Sequence, residues 1–169
     1  MTLQMVLGYN RRYQLHDEKG EPQVETLFSL MNHPYHELNG TVDPEIPILM
    51  FERVDDGKQD FLLNQPGCRR VVVFSAPYHP VILSQQNRYV SADYPGAARK
   101  CIEEIFDDTT KAVFLLGPCG NTQPFLSNQN NYKSVQVIGR ALGNSIVAAL
   151  ANRREVKIDR LLAFEEAVS

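Results

Sequence analysis

Two uninterrupted apolar runs, Val71-Val72-Val73-Phe74 and Ala112-Val113-Phe114-Leu115-Leu116, constrain this chain more than any other feature. Each is short and rich in β-branched and aromatic residues, the composition of a strand buried on both faces. Between them Pro95-Gly96-Ala97 opens a helical pattern that continues through Ala98, Cys101, Ile102, Ile105 and Phe106. Strand, crossover helix and strand imply a parallel pair with a right-handed connection and helices on the faces of the sheet. Further on, Val135, Ile138, Leu142, Ile146, Ala149 and Leu150 mark a long helix, in which Gly139 and Gly143 stand one turn apart and permit close approach to a neighbour. Helices are therefore expected over about 95–107 and 132–152.

Ile46 to Phe51 reads as another strand, with a turn at Asp55-Asp56-Gly57-Lys58 and a hairpin partner at Phe61-Leu62-Leu63. Residues 1–38 are polar and broken by turn clusters, so they are expected to be largely irregular, and residues 155–168 fit a short helix and an edge strand equally. The expectation is one α/β domain spanning all 169 residues, with a mixed or mostly parallel sheet flanked by helices. With 17 basic and 20 acidic residues, no cationic surface exists to neutralise phosphates, which argues against nucleic acid as a partner. Cys68, Cys101 and Cys119 form no paired framework and no C-x-x-C spacing, which suits a reducing compartment. No apolar run reaches bilayer length and no signal-like segment opens the chain, so a soluble, cytoplasmic protein is expected; a homo-oligomer is left open.

Ligands of parallel sheets sit beyond the carboxyl ends of the strands, which singles out the loop after Ser75 and the loop after Leu116 as neighbours. The first carries Tyr78-His79-Pro80 and Ser91-Ala92-Asp93, and the second Gly117-Pro118-Cys119-Gly120-Asn121-Thr122-Gln123-Pro124. By spacing alone His79 is a metal ligand, a general base or a hydrogen-bonded loop residue. The glycines would expose N–H groups to a phosphate, but the Gly-Lys-Ser/Thr ending of a phosphate loop is missing. Cys119 is either a nucleophile with His79 as its base or a small packed residue.

The order of Val71-Val72-Val73-Phe74-Ser75-Ala76-Pro77-Tyr78-His79-Pro80-Val81, Tyr89-Val90-Ser91-Ala92-Asp93-Tyr94-Pro95-Gly96 and Phe114-Leu115-Leu116-Gly117-Pro118-Cys119-Gly120-Asn121-Thr122-Gln123-Pro124 resembles the neutral/alkaline non-lysosomal ceramidase superfamily. With Gly8-Tyr9-Asn10-Arg11-Arg12 and Asp43-Pro44-Glu45, which match its shorter bacterial relatives, the similarity spans about residues 8–152. The resemblance implies a zinc amidohydrolase that cleaves a ceramide-like N-acyl amide, with zinc as cofactor and His79 as one zinc ligand. It also implies catalytic roles for Asn121, Thr122 and Asp93, the last either capping its helix or orienting His79.

The departures matter as much. The family's other zinc ligands fall outside the matched region, and the serine that precedes the loop's proline in active members is Gln123 here. The chain is thus expected to be a partial catalytic domain, binding zinc weakly if at all and inactive in isolation, or else a noncatalytic relative that keeps the fold for binding or assembly. His33 and His36 offer replacement ligands or solvated loop residues; Arg11 and Arg12 offer an anionic head-group contact or a surface ion pair.

Overall fold

The structure is a computed structural model and describes residues 1–26, 40–53 and 68–157. Its centre is a four-stranded sheet in the order β1-β5-β6-β7, built from Thr2–Gln4, Glu45–Glu52, Arg70–Ala76 and Thr110–Leu116. β1 and β6 both pair antiparallel with β5, whereas β6 and β7 are parallel in the register Val72↔Ala112 and Phe74↔Phe114. The sheet is therefore mixed. Its parallel pair is joined by helix α1, Asp93–Phe106, and the long helix α2 covers Tyr132–Leu150.

The 1–38 segment is not largely irregular where it is described. Besides β1 it forms β2 (Gly8–Asn10), β3 (Arg12–His16) and β4 (Pro22–Thr26). β3 and β4 make a hairpin, and β2 pairs antiparallel with β8 (Thr122–Pro124), so that Gly8 lies opposite Pro124. Strands of three residues have no readable period; distant pairing creates them. The turn at 55–58, the strand at 61–63, His33 and His36, and residues 158–168 lie outside the described residues.

Alternation decides which side of the sheet is core. Ile46, Ile48, Val72, Phe74, Ala76 and Ala112 are buried beneath Tyr94, Ala98, Ile102, Leu142 and Ile146 of the two helices. Burial of each large apolar side chain contributes about 1.5–3 kcal/mol. α2 approaches α1 closely because of its glycines: a Cβ on Gly139 would stand 2.4 Å from the Cβ of Ala97, and one on Gly143 2.8 Å from that of Cys101. Both helices lie on one face, so among the described residues the two-sided burial expected of the apolar strands is not found. Leu49, Phe51, Val113 and Leu115 point to the other face and are exposed.

β7 is an edge strand among the described residues, and α1 partly closes that edge. Glu103 accepts the Ala112 N–H at 2.9 Å, and Arg99 Nε donates to the Ala112 carbonyl at 2.7 Å. These side chains stand in for a neighbouring strand and blunt the edge at that residue.

Candidate functional site

The chain leaves β6 through Pro77 and Tyr78, both buried, before reaching His79. Tyr78 is anchored at both ends: its hydroxyl accepts the Leu7 N–H at 3.2 Å, and its carbonyl accepts the Tyr94 hydroxyl at 2.7 Å. The β7 exit runs alongside. Gly117 N–H donates to the Ala76 carbonyl at 3.1 Å. A Cβ on Gly117, the residue after this strand, would meet Ser75 Oγ at 3.1 Å and Pro77 Cα at 3.2 Å, so a side chain there would be tight.

The two loops meet at His79, whose backbone N–H donates to the Thr122 carbonyl at 3.2 Å. The buried Thr122 hydroxyl donates to the Pro77 carbonyl, so one residue holds the histidine loop from both sides. His79 Nδ1 stands 3.4 Å from Cys119 Sγ, and its Nε2 stands 3.5 Å from Arg11 Nη2. A guanidinium only donates, so Nε2 accepts and the ring proton resides on Nδ1, directed at the sulfur. Burial, reinforced by the Arg11 charge, holds His79 below the ordinary histidine pKa; the ring is neutral at pH 7.

Arg11 reaches this position from just beyond β2. Its backbone N–H donates to the Asn121 carbonyl at 2.7 Å, and Nη2 donates to the Gly120 carbonyl at 3.1 Å. The residue thus ties the amino-terminal segment to the glycine loop. Its sequence signal was a paired arginine suited to an anion or a surface ion pair; nothing local pointed to a histidine 68 positions away.

The other sequence candidates are placed as follows. Asn121 serves the loop through its main chain. Gln123 is buried, and its amide donates to the Tyr9 hydroxyl and, at 3.0 Å, to Ser127 Oγ, forming a polar network under the loop. Asp93 is buried, and its carboxylate bonds backbone N–H groups rather than His79. Its carboxylate accepts N–H bonds from Tyr94 at 2.7 Å, in the first turn of α1, and from Ile82 at 3.3 Å and Leu83 at 3.0 Å in the loop before it. These bonds hold Asp93 at φ 49°, a backbone region that non-glycine residues seldom occupy.

Next to His79, Pro80 forms one wall of a cleft of about 450 Å³ that also touches Ser91, Asp93, Gly96, Arg99 and Phe114. The cleft lies against β7 at Ala112, Val113 and Phe114. Its mixed lining of ring and aliphatic carbon beside Arg99 and Asp93 suits an amphiphile better than a compact polar solute.

A resident zinc ion does not fit the donors among the described residues. Tetrahedral zinc takes four ligands, three of them from the protein at a catalytic site. Among the described residues no three His, Cys, Asp or Glu side chains gather. At His79 one ring nitrogen faces a cation and the other a thiol.

No family model matches the chain, and no curated protein matches it. Solved structures do. A ceramidase complexed with C2 superposes with a TM-score of 0.55, and neutral ceramidase from Pseudomonas aeruginosa with 0.54, each at 17% identity. In both cases 89% of this chain is covered, but only 22% of the other. The chain therefore has the fold of about one fifth of a neutral ceramidase.

Proposed function

We propose that this chain is a ceramidase-like hydrolase unit that takes an N-acyl amide, and that it forms one wall of the site rather than a complete catalytic centre. The observation that supports the reading is the meeting of His79 with the Gly117–Pro124 loop beyond the carboxyl ends of the parallel strands, within a fold shared with neutral ceramidases. His79 would face the amide and the cleft beside Pro80 would take the hydrocarbon. No zinc step is assigned, because the described donors do not form a zinc site.

A fluorescent short-chain N-acyl amine tests this by equilibrium binding to the purified chain. Saturable binding is expected, weakened about ten-fold or more by His79→Ala or Gly96→Leu, a loss of roughly 1.4 kcal/mol. Absence of saturable binding contradicts the reading.

The contact between Cys119 and His79 supports a second reading, thiol-based acyl transfer. With its proton on Nδ1 the imidazole would donate to the sulfur rather than act as its base, so the thiol proton would pass to the departing amine as Sγ bonds to the acyl carbon, and water would then cleave the thioester to acid and thiol. An activated acyl ester should add one acyl group at Cys119, detectable by intact mass and absent in Cys119→Ala. Acylation of Cys68 or Cys101 instead contradicts it.

A further inference from the structure

We propose that the cleft beside β7 binds a carboxylate-headed amphiphile, a fatty acid, with the acid group held between the Arg99 guanidinium and the Phe114 N–H. Strand alternation places the second donor. Gly117, just past β7, donates its N–H to the Ala76 carbonyl of β6, so the odd-numbered residues here turn their backbone polar groups into the sheet. Ala112 turns both of its groups outward, the N–H to Glu103 and the carbonyl to Arg99. Phe114, two residues on, therefore also presents its N–H and carbonyl outward, on a wall of the cleft. Among the described residues neither group has a hydrogen-bond partner. The side chains that blunt the edge at Ala112 leave it open at Phe114.

Arg99 supplies the charge. Its Nε bond of 2.7 Å to the Ala112 carbonyl fixes the guanidinium beside the acceptor that immediately precedes the Phe114 N–H along this edge. Among the described residues the two Nη nitrogens make no hydrogen bond or ion pair. A guanidinium held by one nitrogen keeps its outer fork for a planar acid group. Nearby carboxylates limit that group to one negative charge. Asp93 lines the cleft with its oxygens already bonded to three N–H groups, and Glu103 holds the Ala112 N–H. A phosphate dianion would be repelled by both, whereas one carboxylate is matched by one guanidinium. Pro80, Pro95, Gly96 and Val113 supply apolar walls for the tail. The volume of about 450 Å³ falls within the roughly 300–1,000 Å³ of small-molecule pockets. Cleavage of an N-acyl amide releases an acid of this chemistry; the inference rests on the proposed function in placing the acyl chain here, and adds that the released acid is retained.

NMR titration of the isotope-labelled full chain with octanoate and, separately, with octan-1-ol tests the proposal, because the two probes share a tail and differ in the head. Octanoate is expected to bind about ten-fold more tightly than the alcohol. That advantage should shrink as salt is raised, since the ion pair lies at an open cleft. The Phe114 amide signal should move downfield with the acid and not with the alcohol, a readout in the unaltered protein that does not depend on how any variant folds. Arg99→Gln should remove the difference between acid and alcohol, and Arg99→Lys should restore part of it. Lys100→Gln, one position along α1 and paired with Glu104, should leave it intact. Equal affinities in the unaltered chain, a Phe114 signal indifferent to the head group, or an acid preference that survives Arg99→Gln overturns the proposal. If neither probe saturates, the placement of the acyl chain under the proposed function falls with it, whereas equal saturable binding of both leaves that placement standing and removes only the acid site.

Discussion

Cys119 Sγ lies 3.4 Å from His79 Nδ1, on the side of the imidazole opposite Arg11. The histidine is therefore held between a thiol and a cation. Arg11 contributes the smaller part of the downward pKa shift, burial the larger. Arg11→Met should raise the His79 pKa without returning it to the ordinary value, as read from the ring proton shifts in an NMR titration. An unchanged value would mean that the guanidinium does not face the ring.

The same shift fixes the sign of a stability effect. Above about pH 6.5, the ordinary histidine value, the ring is neutral in both folded and unfolded chains. As pH falls, the unfolded chain takes up the proton first, so stability declines from that point until the folded pKa is passed. The fall in melting temperature between pH 7.5 and pH 5 should be smaller in His79→Gln than in the wild type. An equal fall in both would assign the effect elsewhere.

Close helix packing depends on Gly139. A Cβ there meets the Ala97 Cβ at 2.4 Å and the Tyr94 carbonyl oxygen at 2.8 Å. Gly139→Ala gains about 1 kcal/mol in helix propensity, but overpacking costs about 1–3 kcal/mol. Net destabilisation is expected in urea unfolding. A stabilised variant would show that the helices can separate without loss.

Both oxygens of the Asp93 carboxylate are engaged. Oδ1 accepts from Ile82 and Tyr94, and Oδ2 from Leu83. Asn tolerates the positive φ, yet its NH2 group would face the Leu83 N–H. Asp93→Asn should therefore cost about 1–3 kcal/mol, the penalty of an unsatisfied buried donor. Full stability, the outcome expected of a simple helix cap, would contradict the three-bond assignment.

Much of this fold was legible locally. β6, β7, α1 and α2 are long enough to carry their own period, and topology alone placed the His79 loop beside the Gly117 loop. β2 was not legible because Gly8-Tyr9-Asn10 becomes a strand only by pairing with Thr122-Gln123-Pro124. The apolar runs misled on burial for a related reason: composition reports which faces can be covered, not which are. Arg11 and Cys119 were separately visible as candidates, but their convergence on one imidazole requires β2 to bring the amino-terminal segment across the sheet exit.

On the proposed function, an N-acyl amide meets this chain where His79 and the glycine loop converge. Backbone and histidine NMR spectra, recorded while a short-chain N-acyl amine is added to isotope-labelled protein, test it most directly. Shifts are expected that saturate together at His79, Gly120 and Pro80's neighbours Val81 and Ile82, with the hairpin of β3 and β4 unmoved. Shifts confined to that hairpin or to the open sheet face, with His79 and Gly120 unchanged, would contradict it.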